Sequence, residues 1–179
     1  MSGHSKWSNI KRQKGVNDAK KAQVFTKIAR AITVAAQKGG GDPDSNPNLR
    51  LAIEKSRSVN MPKENISRAI AKGLGALLDG QRLEEVRYEG YGPNGVAILA
   101  DVVTDNRNRT TAEIRNVFNK FGGSLGEVGS ALYVFGKDPE NPSFTIAFAN
   151  EKDKDKVLEL LETLENLSDT QEVYSNGEF

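Results

Sequence analysis

The spacing of apolar residues in this chain changes at about residue 83, and this change constrains the fold more than any other feature. Before residue 83, apolar side chains recur every three or four residues, which is the spacing of amphipathic helices. After it, several short segments alternate between apolar and small or polar residues, which is typical of strands. A chain of 179 residues has room for two small domains. We therefore predict a helical domain over residues 1–82 and an α+β domain over residues 83–179.

The first domain is predicted to be a three-helix bundle. Its first helix covers about residues 18–38, with Asn17 as the cap and three glycines at 39–41 as the stop. A second helix follows over about residues 47–59 with a proline at its first position, and a third starts at Pro62. The apolar face of the first helix consists of Ala22, Phe25, Ile28, Ala29, Ile32 and Ala36. The opposite face carries four basic side chains, Lys20, Lys27, Arg30 and Lys38.

The second domain is predicted to be a ferredoxin-like α+β sandwich. Five segments have the pattern of strands, namely residues 86–91, 96–104, 131–135, 144–148 and 171–175. Helices are predicted to start at a capping box formed by Thr110 and Glu113, and at Asn150. After the first strand the order is β-α-β-β-α-β, so two helices can cover one face of an antiparallel sheet. The expected fold class is thus α followed by α+β.

The formal net charge of +1 conceals an uneven distribution of charge. Residues 1–82 contain 16 Lys and Arg against 6 Asp and Glu, whereas residues 83–179 contain 9 against 18. Such an asymmetry favours contact of the basic half with a nucleic acid or with a membrane surface. A membrane surface requires bulky apolar residues beside the basic face, and the basic region offers only Trp7. A nucleic acid is therefore the expected partner, and no membrane or small-molecule substrate is expected.

Composition also excludes several classes of protein. No apolar run approaches the roughly 18 residues needed to span a membrane, and the N-terminal residues lack the apolar stretch of a secretory signal. The chain has no cysteine, and its one histidine, His4, lies in the basic N-terminal arm. The GxxxxGK[ST] pattern of a phosphate loop is absent. We expect a cytoplasmic protein that is not an enzyme, has no catalytic residue and needs no metal or other cofactor.

The strongest candidate for binding is an N-terminal arm over residues 1–16 that contains no acidic residue. It combines cations that can contact phosphates with one aromatic side chain that can stack on a base. These residues are Lys6, Trp7, Lys11, Arg12 and Lys14. Alternatively, Trp7 anchors the arm on the helical bundle, and the two roles are compatible.

Two further groups of cations extend the candidate site. The basic face of the first helix lies in a stretch whose only acid is Asp18, whereas solvated helix faces usually mix both signs. Arg107 and Arg109 stand where a strand ends and a helix begins, beside helical N–H groups that can bind a phosphate. Alternatively, Asp105, Asn106 and Asn108 in the same segment only shape the loop.

Short motifs along the whole chain resemble those of the YebC family. In the first half they are Gly3-His4-Ser5-Lys6-Trp7-Ser8-Asn9-Ile10-Lys11, Phe25-Thr26-Lys27, Gly39-Gly40-Gly41-Asp42-Pro43, Leu49-Arg50-Leu51-Ala52-Ile53-Glu54-Lys55 and Asn60-Met61-Pro62-Lys63-Glu64-Asn65-Ile66. In the second half they are Tyr88-Glu89-Gly90-Tyr91-Gly92-Pro93, Thr104-Asp105-Asn106-Arg107-Asn108-Arg109-Thr110 and Gly122-Gly123-Ser124-Leu125-Gly126. They occur in the family's order, so the resemblance covers nearly the entire sequence.

The resemblance implies a helical first domain and two α/β domains, the third inserted within the second, and no enzymatic activity. It also implies two competing roles. Many bacterial relatives are described as DNA-binding transcriptional regulators, while the mitochondrial relative is a translational activator for cytochrome oxidase and bacterial relatives are linked to ribosomes stalled at proline-rich stretches. This chain departs from the pattern at residues 136–143, where a turn-rich loop stands in place of the inserted domain. We therefore expect the third domain to be missing.

Three hypotheses for function follow. The first is a translation factor bound to RNA or to the ribosome, whose arm and first helix contact phosphates. Additional cations would widen that footprint, namely Arg50, Lys55, Arg57, Lys63, Arg68 and Lys72. The second is a transcriptional regulator that binds duplex DNA through the same residues, although no recognition helix is evident in the sequence. The third is an interaction module whose oppositely charged halves bind each other or another protein.

Overall fold

The computed structural model describes residues 18–75 and 82–179. These residues form two compact units. The helical unit falls within Val16–Glu85 and Val103–Asp105, and the α/β unit within Val86–Val102 and Asn106–Phe179. The predicted domain boundary at residue 82 and the predicted loss of an inserted domain stay predictions.

The helical unit contains the three predicted helices. They are α1 (Asp18–Gly39), α2 (Pro47–Ser58) and α3 (Lys63–Gly73). Both α2 and α3 pack against α1 around a shared apolar core. The largest contributors to that core are Ile28, Ile32, Leu49, Ile53, Met61 and Ile66. The predicted glycine stop is confirmed, because Gly40 has a φ of +86° that L side chains rarely adopt. The predicted cap Asn17 lies outside the described residues.

The end of α1 and the start of α2 are joined through the buried side chain of Asn46. Its amide nitrogen donates to the carbonyl oxygens of Ala35 and Gly40, each at 2.9 Å. Its oxygen accepts a hydrogen bond from the backbone N–H of Leu49 at 3.1 Å, which caps α2. A Cβ at Gly39 would lie only 2.6 Å from the Asn46 amide nitrogen, so this junction requires glycine there. One polar side chain thus satisfies groups at two helix ends.

Helices α1 and α3 pack so closely that positions on one helix contact backbone atoms of the other. The hydroxyl of Thr33 donates to the carbonyl oxygen of Ala69 at 3.0 Å, across the two helices. A Cβ at Gly73 would lie 2.4 Å from the carbonyl oxygen of Thr33, which is closer than real contacts allow. Small residues at this crossing therefore set the spacing of α1 and α3.

The second half folds around a four-stranded sheet. Its strands are β1 (Glu84–Tyr91), β2 (Ala97–Thr104), β3 (Ser124–Leu125) and β4 (Thr170–Ser175). The strand order is β3-β1-β2-β4, and both β1–β3 and β2–β4 are antiparallel pairs. The helices that accompany the sheet are α4 (Arg107–Lys120), α5 (Leu132–Phe135) and α6 (Glu151–Asn166). The predicted class, a helical bundle followed by an α+β domain, is confirmed.

Alternate residues of β2 face two different apolar layers. Ile98, Ala100 and Val102 point to a core built with α4 and α6, which supply Phe118 and Leu160 among others. The intervening residues Ala97 and Leu99 pack on the other side, against the segment that contains Val134 and Phe135. The sheet is therefore covered on both faces, which explains why β2 is apolar almost throughout.

Two of the predicted strands are wrong. Residues 132–135 form the short helix α5 and Ala131 precedes it, because Ala131, Val134 and Phe135 pack on the sheet at helical spacing. Four consecutive apolar residues carry no period, so the sequence pattern could not separate the two states. Residues 144–148 form only an isolated parallel bridge between Ile146 and Gly177. The two-residue strand β3 was not predicted.

The start of α4 also differs from the prediction. The helix begins at Arg107, and its cap is Asn106, whose side-chain oxygen accepts from the N–H of Arg109 at 3.1 Å. Thr110 lies inside the helix, where its hydroxyl contacts the carbonyl oxygen of Asn106 and the carboxylate of Asp169. The predicted capping box at Thr110 is therefore wrong, whereas the predicted cap of α6 by Asn150 is confirmed.

Candidate nucleic-acid interface

The cations of the predicted N-terminal arm cannot be placed. Lys6, Trp7, Lys11, Arg12 and Lys14 all lie outside the described residues. The first predicted cations that lie within the described residues are those of α1.

The basic face of α1 is not a uniformly solvated stripe. Arg30 is half-buried, and its Nη1 donates to the carbonyl oxygen of Val103 at 2.9 Å. Lys38 is exposed and forms an ion pair with Glu85. Lys20 and Lys27 are half-buried. The same side of the helix also buries Val34 in a small apolar cluster. At least two of the four predicted cations thus take part in contacts within the helical unit.

Helices α2 and α3 expose a larger set of cations. Their apolar residues face α1, so their charged residues point outward. The exposed cations, here called the α2–α3 basic surface, are Arg50, Lys55, Arg57, Lys63, Arg68 and Lys72. Within residues 18–75 the chain has 11 Lys and Arg against 5 Asp and Glu. This surface is the part of the described helical unit with the most cations accessible to a polyanion.

An open groove lies beside the crossing of α1 and α3. Its volume is about 520 Å³. From α1 it is lined by Phe25, Thr26, Ala29, Arg30 and Thr33, and from α3 by Asn65, Arg68, Ala69 and Lys72; Met61, Leu83 and Asp105 complete it. This α1–α3 groove was not predicted from the sequence, although Asn65, Arg68 and Lys72 follow the three- and four-residue spacing of a single helix face.

The two arginines at the start of α4 have different surroundings. Arg109 donates from Nη2 to Asp169 at 2.7 Å, and the Asp169 side chain is 1% exposed. The hydroxyl of Thr110 donates to the same carboxylate at 2.6 Å. These contacts tie the start of α4 to the segment between α6 and β4. Arg107 is exposed in the first turn of α4, so it is the more accessible of the two predicted cations.

Glu89 is a second buried carboxylate of the α/β unit. It accepts backbone N–H groups from Gly129, Ala131 and Leu132 at 2.7–2.8 Å. Burial alone would raise the pKa of this carboxyl group, but the three N–H donors and the charge of Arg87 outweigh burial and lower the pKa. Glu89 therefore holds the loop that leads into α5 and contributes to architecture.

Within residues 18–75 and 82–179, no group of three or more His, Cys, Asp or Glu side chains is arranged to hold a metal ion. No helix in this part of the chain is long and apolar enough to cross a membrane.

Comparison with known proteins identifies the family. A family model for the N-terminal domain of TACO1/YebC proteins matches residues 5–76, and the model for their second and third domain matches residues 83–140. A probable transcriptional regulatory protein of Dictyoglomus thermophilum is 52% identical over 158 residues. A protein of the same name from Nitrosococcus oceani is 53% identical over 160 residues. These alignments cover 88% and 89% of this chain but 62% of each relative, so the chain spans less than two thirds of their length.

A solved structure supports the same assignment. The crystal structure of a conserved hypothetical protein, Aq1575, from Aquifex aeolicus matches with a TM-score of 0.83 and 35% sequence identity. The match covers 90% of this chain and 91% of that one. With two family models that together match most of the sequence, the chain belongs to the TACO1/YebC family.

Proposed function

We propose that this protein regulates gene expression by binding RNA, as a translation factor that acts on the ribosome and relieves stalling. The observation that carries the proposal is the α2–α3 basic surface. Six exposed cations lie on two consecutive helices, where their positive charge is accessible to a partner. Each cation that contacts a phosphate releases a counterion, and this release drives association with a polyanion.

The distribution of these cations favours a folded RNA over a simple strand. Arg50 and Arg57 are on α2, whereas Lys63, Arg68 and Lys72 are on α3, so the charges follow a surface and not a line. Folded RNA is recognised largely through its shape and the positions of its phosphates. Relief of stalling is what the family resemblance implies for bacterial relatives. Because the basic surface lies in the helical unit, binding would not require the domain expected to be missing at residues 136–143.

The arm and the loop arginine would extend this footprint. Lys6, Lys11, Arg12 and Lys14 would add phosphate contacts, and Trp7 would stack on a base. Arg107 would add a contact from the α/β unit. Lys20 and Lys27 remain candidates on α1 with Arg30, whereas Lys38 and Arg109 would contribute through the side chains that they position.

Binding of duplex DNA as a transcriptional regulator is the second candidate. Relatives are named probable transcriptional regulatory proteins. In addition, α2 and α3 are joined by residues 59–62 alone, the connection length of a helix-turn-helix. In that motif the second helix enters the major groove, which would place Lys63, Arg68 and Lys72 of α3 against DNA.

Crosslinking in cells followed by sequencing of the bound RNA and DNA tests the proposal. We expect reads concentrated in ribosomal or transfer RNA, and a protein that co-sediments with ribosomes. Reads concentrated at promoters would overturn the proposal in favour of transcriptional regulation. The triple reversal of Arg50, Arg57 and Lys63 to glutamate should remove the reads. A matched variant with Lys137, Lys152 and Lys156 reversed changes the net charge equally, and it should keep them.

A further inference from the structure

The α1–α3 groove has the size of a ligand site. Its volume of about 520 Å³ falls within the range of roughly 300–1,000 Å³ typical of small-molecule and cofactor pockets. The small residues Ala29, Thr33 and Ala69, which line it, belong to the crossing where α1 and α3 are tied by the hydrogen bond from Thr33 to Ala69. Because a hydrogen bond to a backbone carbonyl oxygen fixes this crossing, the groove is already formed in the helical unit without a ligand.

Three cations converge on the groove from two helices. Arg68 and Lys72 are four residues apart on α3, so they project from the same face. Arg30 comes from α1, and its hydrogen bond to the carbonyl oxygen of Val103 fixes its guanidinium at the wall of the groove. Asp105 is the only acid among the lining residues. The excess of positive charge fits a ligand that carries phosphate.

Apolar side chains make up another part of the lining. Phe25 is half-buried, and Met61 is buried. An aromatic ring provides a surface on which a base can stack, whatever its sequence. The flexible thioether of methionine adapts to flat ligands of different shape. A free inorganic phosphate would use neither residue, so the lining fits a nucleotide better.

Asp105 places a carboxylate in the lining of the groove. A carboxylate repels phosphate, but it is a good acceptor for the hydroxyl group of a sugar, as dinucleotide-binding sites illustrate. Asn65, also in the lining, can both donate to and accept from such a hydroxyl. The 2′-hydroxyl is present in RNA and absent from DNA, and it is the group through which proteins tell the two apart.

We propose that the α1–α3 groove binds one unstacked ribonucleotide of the RNA partner. Its phosphate lies on Arg68 and Lys72, its base lies against Phe25, and its 2′-hydroxyl donates to Asp105. This inference rests on the proposed function, since it takes RNA as the partner. The groove would thus select ribonucleotides, whereas the cations of the α2–α3 basic surface contact phosphates alone.

Binding of the full chain to oligouridylate and to oligodeoxyuridylate of equal length, about ten nucleotides, tests the subsite. The wild-type chain should prefer the ribo-oligonucleotide several-fold. In Asp105→Ala this preference should fall to about one, because the acceptor of the 2′-hydroxyl is lost. The matched control is Glu54→Ala, on the exposed side of α2 and outside the groove. Both variants lose one negative charge, so both should bind any oligonucleotide somewhat more tightly, but only Asp105→Ala should change the preference.

The base contact has its own test. Phe25→Ala should weaken binding of both oligonucleotides about tenfold, with the salt dependence unchanged, because stacking releases no counterion. Ultraviolet crosslinking of wild-type protein to oligouridylate should label the peptide that contains Phe25 or the one that contains Met61. This measurement needs no variant, so it decides the matter even if Asp105→Ala or Phe25→Ala fails to fold.

The outcomes separate this inference from the proposed function. A ribo-oligonucleotide preference that survives Asp105→Ala, or crosslinks confined to other peptides, would overturn the subsite while leaving RNA binding intact. A wild-type chain that binds neither oligonucleotide and no ribosomal RNA would overturn the proposed function together with the subsite.

Discussion

The helical unit and the α/β unit use charged side chains in opposite ways. In the helical unit, the buried polar groups Asn46 and Thr33 are neutral and bond to backbone atoms near helix ends, while six cations of α2 and α3 stay outside. In the α/β unit, two carboxylates are buried, and each is surrounded by donors from its own unit. Charge at the surface is available to a partner, whereas charge in the interior specifies architecture.

The arginines of the two units differ in the same sense. Arg87 forms a bidentate pair with Asp101, with N–O distances of 2.6 and 2.7 Å, and Arg109 pairs with Asp169. By contrast, Arg50 and Arg57 of α2 are exposed without an ion pair of that kind among the described residues. The comparison teaches that the location of a cation is more informative about binding than the local net charge.

The most severe test of this comparison is a cavity in the core of the α/β unit. Phe118 is fully buried there, and Phe118→Ala should lower the free energy of unfolding by about 3–5 kcal/mol. If the helical unit carries the binding surface, the folded fraction of this variant should bind RNA with native affinity. Urea unfolding and equilibrium binding on the same sample measure both quantities.

A matched cavity in the helical unit completes that test. Ile32 is also fully buried, and Ile32→Ala should cost about 2–5 kcal/mol. Here RNA binding should weaken as the bundle opens. Equal loss of binding in both variants would contradict the assignment of separate roles to the two units.

Reversing the α2–α3 basic surface should have the next largest effect. Arg50→Glu, Arg57→Glu and Lys63→Glu together should weaken RNA binding roughly 100-fold, equivalent to about 2.7 kcal/mol, and reduce the salt slope by about 0.7–0.9 log units per lost contact. Stability should change little, because all three side chains are exposed. Native affinity in a folded triple variant would remove this surface from the mechanism.

A smaller effect is expected for the buried carboxylate of β1. In Glu89→Gln an amide nitrogen replaces one carboxylate oxygen and faces backbone N–H donors, so unfolding should become easier by about 1–3 kcal/mol at neutral pH. RNA binding should be unaffected. Thermal unfolding of the two proteins over a series of pH values measures the difference.

The pH dependence provides the control for that variant. The pKa of Glu89 lies below its ordinary value of 4.5 in the folded protein, so its carboxylate stabilises the fold above about pH 4.5. That contribution is lost as the pH falls through the lowered pKa. The gap between wild type and Glu89→Gln should therefore close in acid, and a gap that is constant down to pH 2 would contradict the assigned role.

The smallest effect concerns the junction of α1 and α2. Asn46→Ala removes the cap of α2 and leaves two carbonyl oxygens of α1 without their donor, which should cost about 0.5–2 kcal/mol. Asn46→Asp keeps the oxygen that caps α2 but turns a buried carboxylate oxygen toward the two carbonyl oxygens, so it should also be less stable than the wild type. Chemical unfolding monitored by helical circular dichroism distinguishes the three proteins.

Features determined by neighbouring residues could be predicted from the sequence. The three helices, the stop at Gly40 and the cap at Asn150 depend on apolar period and on residues within one turn. The uneven charge was visible by counting. These predictions needed no knowledge of tertiary contacts.

Features determined by distant residues could not. Arg109 also forms an ion pair with Glu113, one helical turn further on, but its buried partner Asp169 lies 60 positions further along, and nothing near Arg109 indicated that contact. Residues 131–135 become helical where Glu89, some forty positions earlier, accepts the N–H groups of Ala131 and Leu132. The α1–α3 groove likewise combines residues from four separate segments, and only the packed bundle brings Phe25 and Asp105 to one cavity.

The contact between Gly73 and Thr33 makes the width of the groove an adjustable dimension. A Cβ at position 73 would lie 2.4 Å from the carbonyl oxygen of Thr33. Any residue other than glycine there would therefore hold the two helices further apart. Alanine at this position would act as a wedge of a single methyl group against the backbone of Thr33, and it would replace none of the charged or aromatic residues that line the groove. A substitution at this one position could therefore change the width of the groove for a ligand while the charged residues that line it stay the same.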